Sequence, residues 1–167
     1  MHEQTHHIVE ALHNNQRTIE IKTLAGPETL SVSWKKSLAV GNSEYYQVIA
    51  KNSRNKDIGN VDYAIDLSTQ PPTARVVHKF VEPPYRGKDI AQQLFQLVAK
   101  DLEQRGILEV HSQIRKDNIP ALVSRQHVRE MLTGRRYKTT HQETVGQPQF
   151  YDVITFLDQF EDEQGET

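Results

Sequence analysis

The sequence predicts a mixed α/β fold, in which a twisted and mostly antiparallel sheet contains one parallel βαβ unit and carries flanking helices. Two observations predict it. Runs of alternating apolar and polar residues, separated by turns, occupy residues 18–81, which is the pattern of successive strands. An apolar repeat at helical spacing follows over 88–105, and a further alternating run comes at once over 107–114. A strand, a crossover helix and a strand in this order form a parallel unit.

The chain begins with a segment, 1–17, whose apolar residues share one side at helical spacing, so we expect a short helix there. The predicted strands that follow cover 18–22, 30–34, 45–50, 58–67 and 74–81. Turns are predicted between them at Gly26-Pro27, at the polar segment 52–57 and at Gln70-Pro71-Pro72.

The helix over 88–105 has a single apolar stripe, formed by Ile90, Leu94, Leu97, Val98 and Leu102. The charged and polar side chains of its last turns are expected to lie in solvent; they are Lys100, Asp101, Glu103 and Gln104. Gly106 is a typical residue at which such a helix ends.

A second helix is predicted from Asn118 to Leu132, because Asn is a good N-cap, Pro120 suits the first turn and Gly134 ends the helix. Two closing strands and the turn between them are predicted at 137–145, 149–157 and 146–148. We therefore expect one domain over 18–157 and a mobile acidic tail over 158–167.

The composition excludes several classes of function. The 167 residues include no cysteine, which removes thiolate nucleophiles, cysteine metal sites and disulfides. A formal net charge of −2 gives no general attraction to nucleic acid or to an anionic membrane. No apolar run approaches the ~20 residues of a membrane helix, and no signal peptide is evident. We expect a soluble, cytoplasmic protein without nucleic-acid or membrane partners; the oligomeric state stays open, a homodimer included.

One motif near the start suggests a metal site. The segment from His2 to His6 matches the H-E-x-x-H pattern of zinc peptidases. Such a site needs both histidines on one face of a buried helix, and a third ligand. Here the pattern begins at the second residue with no apolar helix before it. We interpret it as a polar chain end and predict no bound metal.

The stretch 74–106 carries the clearest functional pattern. An apolar run ends at Pro83-Pro84, the basic tripeptide Arg86-Gly87-Lys88 follows, and a helix begins. The first N–H groups of a helix have no intrahelical partner, and the helix dipole adds partial positive charge there. The order of strand, basic turn and helix therefore predicts an anion-binding site.

The segment 81–91, VEPPYRGKDIA, resembles the acetyl-CoA signature V-x-P-x-Y-R-G-x-G-I-G/A of the GNAT superfamily of N-acetyltransferases. The order of elements around it is similar too, and Asn118-x-x-Ala121 looks like the family's N-x-x-A at its second core helix. Gly134, followed by Arg135-Arg136-Tyr137, loosely resembles the family's Gly-Phe. The resemblance covers about 18–157 and implies the acyl-CoA N-acyltransferase fold.

The resemblance implies acetyl-CoA as co-substrate. It implies that the central strand and its parallel neighbour splay apart, with the thioester in the gap between them. The implied cofactor-binding residues are Phe80 and Val81 for the pantetheine arm, Arg86, Gly87, Lys88, Asp89, Ile90 and Ala91 for the pyrophosphate, and Asn118 on the other wall.

Two positions depart from the family pattern. Asp89 stands where the second glycine of the motif is usual, and its carboxylate could repel or occupy the phosphate site. The family's common Tyr, which would protonate the leaving thiolate, is missing. Counting seven residues on from Asn118 gives Arg125, and counting back four from Gly134 gives Glu130.

Candidate general bases are Glu109 and His111 on the strand after the motif helix, and His78 on the strand before it. Strand alternation predicts that they converge, but Glu109 and His111 also suit ordinary solvated positions. Arg125 is expected either to hold the thiolate or, more simply, to form a surface salt bridge.

These patterns predict an acetyl-CoA-dependent N-acetyltransferase. The acetyl group would move to a primary amine, on a small molecule or a protein, by direct attack in a ternary complex. The alternative is a catalytically inactive module of the same fold that binds CoA or a protein, which Asp89 and the missing Tyr motivate.

Overall fold

The computed structural model describes residues 17–162, which form one eight-stranded sheet with two α-helices. The strands are β1 (Arg17–Thr23), β2 (Gly26–Val40), β3 (Ser43–Lys51), β4 (Asp57–Asp66), β5 (Thr73–Val81), β6 (Glu109–Arg115), β7 (Tyr137–Thr144) and β8 (Gln147–Phe160). The helices are α1 (Ile90–Gln104) and α2 (Ile119–Gln126).

The strands lie in the order β1-β2-β3-β4-β5-β6-β8-β7. The first five form an antiparallel meander, and β6 joins its last strand in parallel, with α1 as the crossover. β8 and β7 then continue the sheet antiparallel to β6. This is the predicted architecture, with a single parallel pair between β5 and β6.

The apolar stripe of α1 packs on the sheet as predicted, and all five of its residues are buried. The prediction for the polar side of α1 is wrong at Asp101, which is fully buried. Its carboxylate accepts a hydrogen bond from the Tyr63 hydroxyl over 2.6 Å and pairs with Arg105 over 3.3 Å. Arg105 in turn donates to the hydroxyl of Tyr46 over 3.0 Å. These contacts satisfy a charge that would otherwise be costly to bury.

The second helix is shorter than predicted, since α2 ends at Gln126 and Gly134 lies eight residues beyond it. The chain turns back instead, and the backbones of Arg129 and Arg136 form an isolated antiparallel β-bridge. Glu130, itself buried, stabilises the turn because its carboxylate accepts hydrogen bonds from the amides of Leu132 and Thr133. A side chain that caps a turn in this way competes with helix continuation.

Two strands are longer than predicted. β2 begins at Gly26, so that the preceding turn, at residues 24–25, lies two residues earlier than expected, and runs on to Val40. β8 extends to Phe160, three residues into the segment expected to be a tail. The helix and the histidine motif expected near the start lie outside the described residues.

Within residues 17–162, neither helix is long and apolar enough to cross a membrane.

Candidate acyl-CoA site

The parallel strands β5 and β6 separate soon after they meet. Only Ala74 with Val110 and Arg75 with His111 are in register. On the other edge of β5 the register with β4 shifts at Val77, which is an extra residue opposite the Asp62–Tyr63 step. A bulge of this kind bends its strand and increases the local twist. Beyond Arg75, β5 therefore has a backbone edge that β6 does not pair.

A cavity of about 230 Å³ lies in this gap. Residues of β5, β6 and α2 form most of its walls. The lining residues are Val76, Val77, His78, Lys79, Ser112, Gln113, Ile114, Arg115, Asn118, Ala121, Arg125 and Phe150. The gap that the sequence resemblance implies is thus present in the fold, at the predicted pair of strands.

Arg125 enters the cavity from α2, and its predicted place on the surface is wrong. It is 4% exposed, and its guanidinium carbon lies 3.6 Å from the ring centroid of Phe95. The Nη1 atom is buried and has no hydrogen-bond partner. Burial lowers the pKa of Arg125 to about 9. Within residues 17–162, the site thus contains a guanidinium whose charge no carboxylate balances.

Lys79 is a second cation in the cavity. It lies opposite Val61 in the β4–β5 register, which places it on the sheet face covered by α1. Lys79 as a residue is exposed at the open side of the cavity, but the partial burial of its ammonium, together with the nearby charge of Arg125, lowers its pKa to about 8. The residue type does not indicate this environment, because a lysine is ordinarily solvated.

The turn between β5 and α1 has the geometry of an anion site. A 3₁₀ turn over Pro83–Tyr85 leads to Gly87, whose φ is 77°, and Asp89 has a left-handed φ of 60°. Side chains rarely adopt such a φ, which explains why glycine suits both positions. Asp is among the residues that tolerate it, so the turn keeps its shape. The free amides at the start of α1 face this turn.

The basic side chains of the turn donate hydrogen bonds to backbone carbonyl groups. Arg86 donates from Nε to the carbonyl of Val81 over 2.9 Å, and its guanidinium carbon lies 6.0 Å from the ring centroid of Phe80. Lys88 donates to the carbonyl of Lys22 on β1 over 3.0 Å. Both cations therefore remain next to the turn and fix it to neighbouring strands.

Gly59 on β4, for which the sequence pattern predicts no special role, allows α1 to approach the sheet closely. A Cβ atom at this position would lie 3.3 Å from the carbonyl oxygen of Phe80 and 3.4 Å from a methyl group of Ile90. Both distances are tighter than most side-chain contacts. A close approach of backbone is a usual reason for glycine inside a strand.

Asn118 combines two contacts. Its side chain accepts a hydrogen bond from the amide of Ala121 over 3.3 Å, so it caps α2, and it also lines the cavity. The N-x-x-A spacing is therefore the spacing of an N-cap and its partner amide. Asn118 thus lines the gap at the start of α2, and its contact with the pantetheine arm stays a prediction.

The three candidate bases are not brought together. His78 lines the cavity, but Glu109 and His111 do not. They pair with each other, with 3.0 Å between Nε2 of His111 and Oε2 of Glu109, and each side chain is about 40% exposed. His111 lies in register with Arg75, before the bulge at Val77 that interrupts the alternation of β5. The three assignments remain predictions.

The remaining basic residues near α2 mostly have partners of their own. Arg115 pairs with Asp117, Lys116 pairs with Glu143, Arg129 donates to the carbonyl of Gly134, and Arg135 stacks on Phe160. These basic residues therefore form a surface whose charges are largely compensated by their neighbours. Across the part of the chain that the structure describes, no three His, Asp or Glu side chains gather in a way that could hold a metal ion.

Comparison with known proteins agrees with this geometry. The profile of the acetyltransferase (GNAT) family matches residues 13–122. Among curated proteins, none matches the sequence. The chain is similar in structure to the GNAT domain of S. lividans PAT, with a TM-score of 0.60 and 11% identity, over 84% of this chain and 96% of that one.

Two further solved structures are similar. A GNAT-family acetyltransferase from Staphylococcus aureus Mu50 has a TM-score of 0.52 and 13% identity, over 70% of this chain and 69% of that one. The PaiA N-acetyltransferase of Thermoplasma acidophilum, solved with coenzyme A, has a TM-score of 0.50 and 14% identity, over 69% and 61%. At such low identity the similarity shows a shared fold, and this fold is the one that the sequence predicts.

Proposed function

Because this chain belongs to the acetyltransferase (GNAT) family, we propose that it transfers an acetyl group from acetyl-CoA to a primary amine. The acceptor is a small molecule or a protein. The amine attacks the thioester directly in a ternary complex, and a chain without cysteine is consistent with the absence of an acyl-enzyme on sulfur.

The observation that carries the proposal is the gap between β5 and β6, with the motif turn at its end. The backbone edge of β5 beyond Arg75 is free to pair with an extended, amide-bearing arm. The cavity next to that edge has room for the reacting groups. An elongated ligand with phosphates at one end fits this arrangement.

The proposed cofactor contacts follow from that placement. Backbone amides of residues 86–91 bind the pyrophosphate, aided by the positive φ of Gly87 and by the charges of Arg86 and Lys88. The backbone of Phe80 and Val81 pairs with the pantetheine arm, and Asn118 contacts it from α2.

The chemistry requires a neutral amine and a proton for the leaving thiolate. Acetyl-CoA supplies an acetyl group already activated as a thioester. His78 is the preferred candidate base, since it is the candidate that lines the cavity. The Glu109–His111 pair is a second candidate, acting through water from the neighbouring strand. Arg125, at the position counted for the family's Tyr, offers positive charge to the leaving thiolate.

Titration calorimetry with acetyl-CoA tests the binding step. We expect saturable binding at micromolar to millimolar concentration, and competition by CoA. A protein that shows no heat of binding at millimolar acetyl-CoA would contradict the proposal.

Thiol release in the presence of an amine panel separates an enzyme from an inactive module. We expect release above the blank for at least one class of amine. CoA binding without any release across small amines, amino acids and peptide amino termini would favour the inactive alternative, for which Asp89 in the motif turn is the supporting observation.

The proposed compartment is the cytoplasm, because a chain that lacks cysteine is compatible with a reducing environment.

A further inference from the structure

The cavity between β5 and β6 contains more positive charge than the chain itself neutralises. Its lining includes Lys79, Arg115 and Arg125 but no Asp or Glu. Arg115 is paired with Asp117 over 3.1 Å. Among the described residues, Lys79 and Arg125 have no carboxylate partner. Two uncompensated cations therefore face the same small space.

Arg125 is the more informative of the two. It is 4% exposed, its flat side covers the ring of Phe95, and its Nη1 atom has no hydrogen-bond partner. Burial of a cation without a partner is strongly unfavourable. A guanidinium packed on a ring, with an unused donor, is well arranged to bind a planar anion, because its fork matches the two oxygens of a carboxylate.

Neighbouring groups support the same interpretation. Ser112 on β6 is buried, lines the cavity, and its hydroxyl has no hydrogen-bond partner. Lys79 approaches from β5, so donors from two strands and one helix surround the space. The lowered pKa values of Lys79 and Arg125 express the cost of two cations that lack an anion.

We propose that this cavity binds a carboxylate group of the substrate, with Arg125 as its principal ligand and Lys79 as the second. The inference rests on the proposed acyl-CoA-dependent function, because it concerns the reacting end of the same gap. The phosphates of CoA have their own proposed site at residues 86–91. The carboxylate must therefore belong to the acyl group or to the acceptor amine.

Two titrations distinguish these sources. In the first, wild-type protein is titrated with succinyl-CoA and with pentanoyl-CoA, which is similar in length but neutral at its end. In the second, protein saturated with CoA is titrated with amino acids and with the corresponding amino-acid amides. We expect the carboxylate ligand to bind about tenfold more tightly than its neutral counterpart in one of the two experiments.

Variants then assign the preference to residues. Arg125→Met should reduce the ratio of the two dissociation constants to within about twofold, and Lys79→Met should reduce it several-fold. Arg135→Met is the matched control, since that guanidinium also stacks on a ring, at 4.2 Å from Phe160, and does not line the cavity. It should leave the ratio unchanged. Circular dichroism checks that each variant is folded, and the Lys79→Met variant is an independent test of the proposal.

The outcomes separate this inference from the proposed function. If acetyl-CoA itself does not bind, the proposed function fails and the inference fails with it. If CoA binds but neither experiment shows a preference for carboxylate, only the inference is overturned. A preference that survives in both variants, or a loss of affinity equal for charged and neutral ligands, would also overturn it, since Arg125 would then act on the thiolate or on packing.

Discussion

The hydroxyl of Tyr63 on β4 donates a hydrogen bond over 2.6 Å to the carboxylate of Asp101 on α1, and both residues are fully buried. Burial, and the adjacent charge of Asp101, raise the pKa of Tyr63 well above its usual value. The contact ties the helix that starts at the motif turn to the centre of the sheet. Although this contact lies near the other end of α1, it therefore helps to hold the start of α1, and with it the motif turn, in place.

Replacement of Tyr63 by Phe is expected to destabilise the protein by about 1–3 kcal/mol, because Asp101 loses a hydrogen bond that water cannot replace. Urea unfolding measures this free energy. Tyr45→Phe is the control, since the Tyr45 hydroxyl accepts an exposed hydrogen bond from Arg75, and it should change stability by less than about 0.5 kcal/mol. Equal effects of the two substitutions would contradict the prediction.

Gly87→Ala is expected to weaken acetyl-CoA binding by about tenfold, because its φ of 77° is unfavourable for a side chain and the turn must shift. Gly106→Ala provides a matched control. Its φ of 78° gives similar strain, and its Cβ also meets nothing within 4 Å, but it lies at the other end of α1. Calorimetry should show reduced affinity for the first variant alone, although both lose stability.

Asp89→Gly is expected to tighten acetyl-CoA binding several-fold, since it removes a negative charge next to the proposed pyrophosphate site. It should also relieve about 1 kcal/mol of left-handed strain. Asp89→Asn separates the two effects, because Asn tolerates the same φ without the charge. Affinity that rises in both variants assigns the effect to charge; affinity that falls in both would show that the carboxylate assists binding.

His78→Asn is expected to reduce kcat by about 10²-fold or more, with a small change in KM, if the imidazole is the general base. Thiol release with the best amine of the panel measures this. His141→Asn, on β7 against the ring of Tyr151, is the control and should be near wild type. Should Glu109→Gln or His111→Asn abolish turnover while His78→Asn does not, the base is the pair on β6.

Lys79 is expected to react with an amine-directed acylating reagent at pH 8 faster than ordinary surface lysines, because its pKa of about 8 leaves about half of it neutral. Mass spectrometry of peptides after brief labelling measures the rate. Arg125→Met should slow the reaction, since Arg125 contributes to the lowered pKa.

The same shift affects stability. Between pH 8 and 10.5 the unfolded chain binds more protons at Lys79 than the folded chain does, so this residue makes stability rise with pH over that window.

The sequence was sufficient where local chemistry decides the structure. The stripe of α1, the turn at Gly87 and the cap at Asn118 each follow from residue type and spacing, and the structure confirms their places. The antiparallel succession of β1 to β5 also follows, because short turns between alternating runs favour antiparallel neighbours.

The errors arise where distant residues decide. Asp101 can be buried because Tyr63 and Arg105 bind its carboxylate. The helical periodicity of α1 cannot predict this, since Tyr63 lies on a distant part of the chain. Arg125 was expected at the surface, since a charged residue is almost never fully buried without a partner. The bulge at Val77 has no glycine or other local signal, yet it changes which side chains of β5 face the gap.

The buried guanidinium of Arg125 implies that thermal stability and function favour different side chains at this position. An apolar side chain of similar length over Phe95 would fill the same space without a lone charge, so it should raise the melting temperature. A design programme that selects for heat resistance alone would therefore replace Arg125 early. Screens that add a substrate-based selection should retain it.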